Sequence, residues 1–307
     1  MIPILDFQRF RSGDKAAFVT EIGRACREIG FVILRGHGME RGRIDGVFKA
    51  AHDFFALDAA EKKRVSIYNS EHNRGYVAVG SEQLDEKSGL IDRKEAFNIG
   101  LDLSPDDPRV LAGEPFRGVN QWPDVPGFRD ALTAYFDDLW ALGIDIHRAL
   151  ALDLGLDEDW FGPHFDAPMV TLRLLHYPPG TGSENEIGAG AHSDYGSITL
   201  LKTDGEPGLQ VKPRGGDWLD VPFVEDAFIM NIGDCLMRWT NDRYVSTPHR
   251  VIAPRHERYS VAFFCDPNPD SLVAALPGSD GAAKYPPITA SDYLTQRLSA
   301  TYAQEGS

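Results

Sequence analysis

Two histidines and one aspartate in this chain have the spacing to hold a single metal ion. His192 and Asp194 are two positions apart in Ala191-His192-Ser193-Asp194. Side chains on a strand alternate with period two, so both face the same way. His249, in Pro248-His249-Arg250, lies 57 positions later (249 minus 192) and can return on an adjacent strand. Two imidazoles and one carboxylate on one face leave further coordination positions open. That donor set suits non-haem Fe(II), and zinc would accept it as well. Taken alone, His-x-Asp also fits an ordinary surface strand. Arg258 and Ser260 change the balance. They too are two apart, in Arg258-Tyr259-Ser260, and share a strand face nine positions beyond His249 (258 minus 249). A guanidinium fork beside a hydroxyl is suited to a carboxylate, and such a charge-assisted bond contributes roughly 1.5–3 kcal/mol. The run that follows, Val261-Ala262-Phe263-Phe264, is apolar, which places the pair in an interior.

These residues need a scaffold, and the hydrophobic pattern supplies one. Residues 2–7 read as a short strand. Ser12 or Asp14 caps a predicted helix to Glu28, with Phe18, Ile22, Ala25 and Ile29 as its stripe and Gly30 ending it. Phe31-Val32-Ile33-Leu34 reads as a buried strand and Gly36-His37-Gly38 as a turn. A second helix is predicted over Arg41–Phe55, with Ile44, Val47, Phe48, Ala51 and Phe55 inward. Residues 66–125 are less regular: a ribbon near Gly75, a strand over 93–99 with Glu95, Phe97 and Ile99 on one face, and a loop over 105–126. A long helix is predicted over 127–154, on Leu132, Tyr135, Phe136, Leu139, Leu142, Ile146 and Leu150. His37, His52 and His147 are read as packing residues. After Pro168 come short apolar or alternating runs at 169–177, 197–201, 208–211, 227–232 and 259–265, divided by Gly, Pro and Asp, and a terminal helix over 290–303. This texture predicts an antiparallel sandwich or jelly roll packed against helices.

Composition narrows the function. The 307 residues are 42% hydrophobic and carry a formal charge of −15, so the surface repels nucleic-acid phosphates and anionic membranes. Cys26, Cys235 and Cys265 are too few for a disulfide framework and fit a reducing compartment. No stretch approaches the roughly 20 apolar residues of a membrane span, and the start lacks the basic and apolar regions of a signal peptide. A cytoplasmic protein acting on a small molecule, with no nucleic-acid or membrane partner, is the expectation. The sequence leaves the oligomeric state open.

The chain as a whole resembles the isopenicillin N synthase-like family of Fe(II)- and 2-oxoglutarate-dependent oxygenases. Ile2-Pro3-Ile4-Leu5-Asp6, the run from Gly30 to Gly38, Arg74-Gly75-Tyr76, Lys94-Glu95-Ala96-Phe97 and the run from Leu172 to Pro178 carry the likeness. The most specific block is Asn231-Ile232-Gly233-Asp234, Trp239-Thr240-Asn241, Tyr244, Ser246 and His249-Arg250-Val251. The resemblance implies a mixed α and β fold: a double-stranded β-helix (jelly roll) core with N-terminal and flanking helices. Its N-terminal region would span 1–125 and its oxygenase region 126–307, in one compact unit. His192, Asp194 and His249 would bind iron. Arg258 and Ser260 would hold the distal carboxylate of 2-oxoglutarate, and Tyr177 would add a hydrogen bond to it. Leu175 stands where many plant members carry Asn, so that donor is missing here. The implied reaction consumes 2-oxoglutarate and O2, releases succinate and CO2, and oxidises a small molecule, usually by hydroxylation. Tyr76, Phe97, Tyr195 and Phe264 are candidate substrate contacts. Two other readings stand beside this one. In the first, a family oxidase without 2-oxoglutarate uses Arg258 and Ser260 for the substrate's own carboxylate. In the second, a non-catalytic protein of this fold binds a small molecule.

Overall fold

The computed structural model describes residues 1–82, 84–85, 90–183, 186–279 and 281–302. Its centre is a sheet of eight strands, in the order Ile4–Asp6, Phe31–Arg35, Phe228–Ile232, Ile198–Thr203, Arg258–Cys265, Thr171–Tyr177, Glu95–Ile99 and Gly75–Val77. A second sheet of four strands runs Leu219–Asp220, Leu209–Val211, His249–Val251 and Ala189–His192. Apart from the parallel first pair, all of these pairings are antiparallel.

Strand alternation divides the interior into two cores. In Arg258–Cys265, Tyr259, Val261, Phe263 and Cys265 join the larger core against the helices. Arg258, Ser260, Ala262 and Phe264 line a cavity on the other side. The neighbouring strand divides the same way, with Leu172 and Leu174 in the helix-side core and Thr171, Arg173, Leu175 and Tyr177 in the cavity wall. Period two thus places polar residues inside without interrupting the apolar face that folds the sheet.

The helices cover that apolar face. Lys15–Glu28 and Arg41–Phe55 both pack on the long helix Phe128–Asp153, whose predicted stripe from Leu132 to Leu150 is buried. Gly30 closes the first helix at φ +66°, where an added Cβ would sit 2.1 Å from the Val245 carbonyl oxygen. In the second helix Phe54 is fully buried and Phe48 only half-buried, so the inner face is rotated slightly from the expected stripe. Within the stretch expected to be loop, Pro108–Leu111 forms one helical turn; the Asp107 carboxylate accepts from the Arg109 amide (2.9 Å) and Pro108 starts it. The terminal helix runs Ala290–Tyr302, and Ala303 lies outside the described residues. His37 and His147 are buried as expected, whereas His52 is exposed. The His147 imidazole sits between the Gly143 carbonyl (2.7 Å) and the Ser197 hydroxyl (2.8 Å), and His52 lies against the Tyr259 ring. Cys26, Cys235 and Cys265 are buried and unbonded. No helix among the described residues is long and apolar enough to cross a membrane.

Candidate metal centre and its cavity

His192 and His249 are directly opposite each other on adjacent antiparallel strands of the smaller sheet. The 57-residue separation (249 minus 192) therefore collapses to a cross-strand pair, with ring centroids 4.3 Å apart. His192 Nδ1 lies 2.7 Å from the Gly190 carbonyl and His249 Nδ1 3.2 Å from that of Thr247. A ring that donates Nδ1–H to a carbonyl keeps its Nε2 lone pair for a metal. Both Nε2 atoms face Asp194 Oδ1, at 3.9 Å and 3.6 Å. Ligand atoms of the three residues lie within 4.8 Å of one another, the one such grouping of metal-ligating side chains among the described residues.

Asp194 reaches this position differently from the alternation argument. The strand ends at His192, and Asp194 stands in the loop beyond it. Its backbone carbonyl accepts from the Asp234 amide (2.7 Å). Its Oδ2 accepts from the Thr199 hydroxyl (2.6 Å) and from Asn231 Nδ2 (2.7 Å), which leaves Oδ1 for the histidines. Gly233 lets the two loops meet: a Cβ there would lie 2.2 Å from the Gly196 carbonyl oxygen. Burial works to raise the Asp194 carboxyl, but the two imidazoles and the two hydrogen bonds prevail and hold it below its usual value. Burial, then the neighbouring His249, lowers His192 below the usual histidine value, which favours the neutral imidazole. Two imidazoles whose Nδ1 atoms lie against backbone carbonyls and one carboxylate oxygen, all within 4.8 Å of one another, fit a divalent cation such as Fe(II).

The triad opens into a cavity of about 190 Å³. Arg258 and Ser260 line it, both 1% exposed. The Arg258 guanidinium stacks 4.7 Å over the ring of Tyr177, its cross-strand partner, and approaches Ser260 Oγ at 3.4 Å and the Glu206 carbonyl at 3.3 Å. Among the described residues no carboxylate lies within 4.0 Å of it. A buried cation without an acidic partner facing a cavity is what a carboxylate ligand would satisfy. Leu175 is directly opposite Ser260, so this flank is apolar.

Of the four candidate substrate contacts, Tyr195 and Phe264 line the cavity. Tyr76 and Phe97 do not. They are cross-strand partners on the helix side of the sheet. The Tyr76 hydroxyl donates to Glu95 (2.6 Å), which also receives Lys62 (2.8 Å), and Phe97 packs between Phe54 and Phe128. Sequence reasoning put Glu95, Phe97 and Ile99 on one face correctly, and the cavity belongs to the other face, that of Ala96 and Asn98. It gave no role to Thr199, Asn231, Asn73, Asn98, Arg173, Glu82 or Lys94. Asn231, Lys94 and Arg173 did lie in the motifs that carry the likeness, and Arg173 is four positions from Tyr177 on the same strand face.

With the geometry in place, comparison with known proteins identifies the class. Residues 2–125 match the N-terminal family model described as "non-haem dioxygenase in morphine synthesis", and residues 168–267 match the 2OG-Fe(II) oxygenase superfamily. The chain belongs to the 2OG-Fe(II) oxygenase superfamily. Its cofactor is accordingly Fe(II), with 2-oxoglutarate and O2 as co-substrates. The 2-oxoglutarate-Fe(II) type oxidoreductase hxnY of Emericella nidulans is 38% identical, covering 98% of this chain and 90% of that protein. A full-length Neurospora crassa protein, solved in complex with alpha-KG, is 36% identical with a TM-score of 0.88, covering 98% of this chain and 96% of that one. A putative 2OG-Fe(II) oxygenase family protein from Caulobacter crescentus is 33% identical with a TM-score of 0.87, covering 97% and 98%.

Proposed function

We propose that this protein hydroxylates a small organic molecule at a centre held by His192, Asp194 and His249, with Arg258, Ser260 and Tyr177 anchoring 2-oxoglutarate. The observation that carries this reading is that the triad and the buried Arg258, which has no acidic partner among the described residues, line the same cavity. When bound, Fe(II) with 2-oxoglutarate and O2 supplies oxidative decarboxylation to succinate and CO2 and transfer of one oxygen atom to a substrate C–H. The chain supplies the rest. Thr199 and Asn231 fix Asp194 so that a single oxygen faces the histidines. The carbonyls of Gly190 and Thr247 hold both imidazoles in the ligating tautomer. Arg258 and Ser260 fix the far carboxylate of the co-substrate, and the ring of Tyr177 supports the guanidinium from below while its hydroxyl serves as a further donor. Leu175, Ala262 and Phe264 keep water from the space between.

The two sheets are read as the halves of a double-stranded β-helix, with regions 1–125 and 126–307 forming one unit and the metal at the mouth of the smaller sheet. Structures of the Neurospora crassa protein hold thymine or 5-formyluracil, which supports a small-molecule substrate for this chain. Tyr195 and Phe264 would contact it. The test is a metabolite screen scored by succinate release from 2-oxoglutarate under air with added Fe(II). Stimulation by a substrate, lost without O2, is expected. Turnover that proceeds without 2-oxoglutarate would overturn the reading.

A further inference from the structure

The end of the cavity away from Arg258 has its own chemistry. Asn98, Arg173 and Ala262 lie in one row across three adjacent strands, each directly opposite the next, and all line the cavity. Asn98 is fully buried. Its Nδ2 donates to Asn73 Oδ1 (3.4 Å), while its Oδ1 has no hydrogen-bond partner among the described residues. A buried amide oxygen without a donor is unfavourable unless something in the cavity donates to it.

Charge decides what that ligand is. Arg173 pairs with Glu82, and Lys94 Nζ lies 3.6 Å from Glu82 and 2.7 Å from Asp92. Two cations facing two carboxylates neutralise one another, all with side chains 12% exposed or less. Among the described residues, these paired charges set this end apart from the uncompensated cation that Arg258 presents at the other. Asp266 also lines the cavity, where it meets Gly196 of the metal-binding loop, and burial raises its carboxyl to about 8, which favours the uncharged acid. Phe264 stands two positions along the same face from Ala262, and Phe116 adds a second ring to the lining. Aromatic faces favour a flat ligand.

We propose that this end recognises an uncharged, planar substrate through a –CO–NH– edge, the N–H donated to Asn98 Oδ1 and the carbonyl accepting from the Arg173 guanidinium. The proposal rests on the dioxygenase reading and names the substrate class of that site. The guanidinium, oriented by Glu82, and the amide oxygen beside it present a donor and an acceptor side by side, the complement of a secondary amide or lactam. An anionic substrate would find Glu82 beside Arg173, and a cationic one would find Arg173 and Lys94.

The test uses full-length protein loaded with Mn(II) and 2-oxoglutarate in the absence of O2, with binding read by calorimetry. The probes are 2-pyridone, N-methyl-2-pyridone and benzoate, and 2-oxoglutarate itself is titrated separately. The expected result is that 2-pyridone binds about tenfold or more tightly than either other probe, the fold-change of one lost hydrogen bond in a desolvated site. Asn98→Leu should remove that preference while leaving 2-oxoglutarate affinity unchanged. No binding of 2-pyridone, equal binding of the N-methyl compound, or tighter binding of benzoate would overturn the proposal, and these comparisons need no variant to fold. Failure of the wild-type protein to bind 2-oxoglutarate would instead overturn the dioxygenase reading beneath it.

Discussion

Replacing Arg258 by Gln should weaken 2-oxoglutarate binding without weakening the fold. The guanidinium is 1% exposed, and its neighbours are a ring, a hydroxyl and a backbone carbonyl rather than an acid. Its charge is thus uncompensated until a carboxylate enters. A charge-assisted hydrogen bond contributes roughly 1.5–3 kcal/mol, so the variant's Kd for 2-oxoglutarate should rise roughly 10- to 150-fold. Ser260→Ala, which removes a neutral donor worth about 0.5–1.5 kcal/mol, should raise it only about 2- to 13-fold. Calorimetric titration of 2-oxoglutarate into Mn(II)-loaded protein without O2 measures both. The melting temperature of ligand-free Arg258→Gln should stay close to that of wild type, because the cost of burying a charge without an acid offsets its stacking on Tyr177 and its contact with the Glu206 carbonyl. A Kd within about twofold of wild type, with substrate affinity reduced instead, would refute the reasoning and make this the anchor of the substrate's own carboxylate.

The other predictions follow from the same contacts. His192→Ala and Asp194→Ala should each abolish Fe(II)-dependent turnover and iron retention, measured by metal analysis after gel filtration; normal iron content in either would remove the triad. Thr199→Val or Asn231→Leu should leave all three ligands in place but lower metal affinity by about 10- to 100-fold, since each frees Asp194 Oδ2 from one donor. Phe97→Ala should destabilise the fold by about 3–5 kcal/mol in urea unfolding and leave substrate KM unchanged in the folded fraction, because Phe97 packs in the helix-side core. Burial lowers His147 to about 4. The unfolded chain therefore takes up this proton near the ordinary histidine value and the folded chain only near 4. Stability is fully present above that ordinary value and falls as pH drops below it towards the folded value, by at most about 1.4 kcal/mol per pH unit. His147→Gln should remove that part of the slope between about pH 7 and 5.

Much of the site could be read before the fold was known, and the reasons are physical. Period two made Arg258 and Ser260 neighbours wherever the strand ran, and by the same alternation Phe264 lines their cavity. The helix stripes were equally direct, because an apolar face three and four residues apart leaves few ways to pack. Which face of a strand meets the cavity was harder. In the run Glu95-Ala96-Phe97-Asn98-Ile99 the aromatic residue drew attention to the helix side, while the cavity took Asn98. Local spacing cannot choose between two buried faces when both are filled. His192 and Asp194 came together as expected, yet Asp194 is placed by hydrogen bonds from Thr199, Asn231 and Asp234, partners up to 40 positions away (234 minus 194). Such long-range support leaves no local periodicity. The Glu82, Asp92, Lys94 and Arg173 cluster is hidden for the same reason, since separate charges on a surface read no differently from charges paired in a wall.

The most direct test of the central claim is a crystal structure of the protein with Mn(II) and 2-oxoglutarate, grown without O2. It should show one metal ion bound by His192, Asp194 and His249, and a 2-oxoglutarate whose far carboxylate meets Arg258 and Ser260. A metal held by other residues, or a 2-oxoglutarate carboxylate away from Arg258, would contradict the claim.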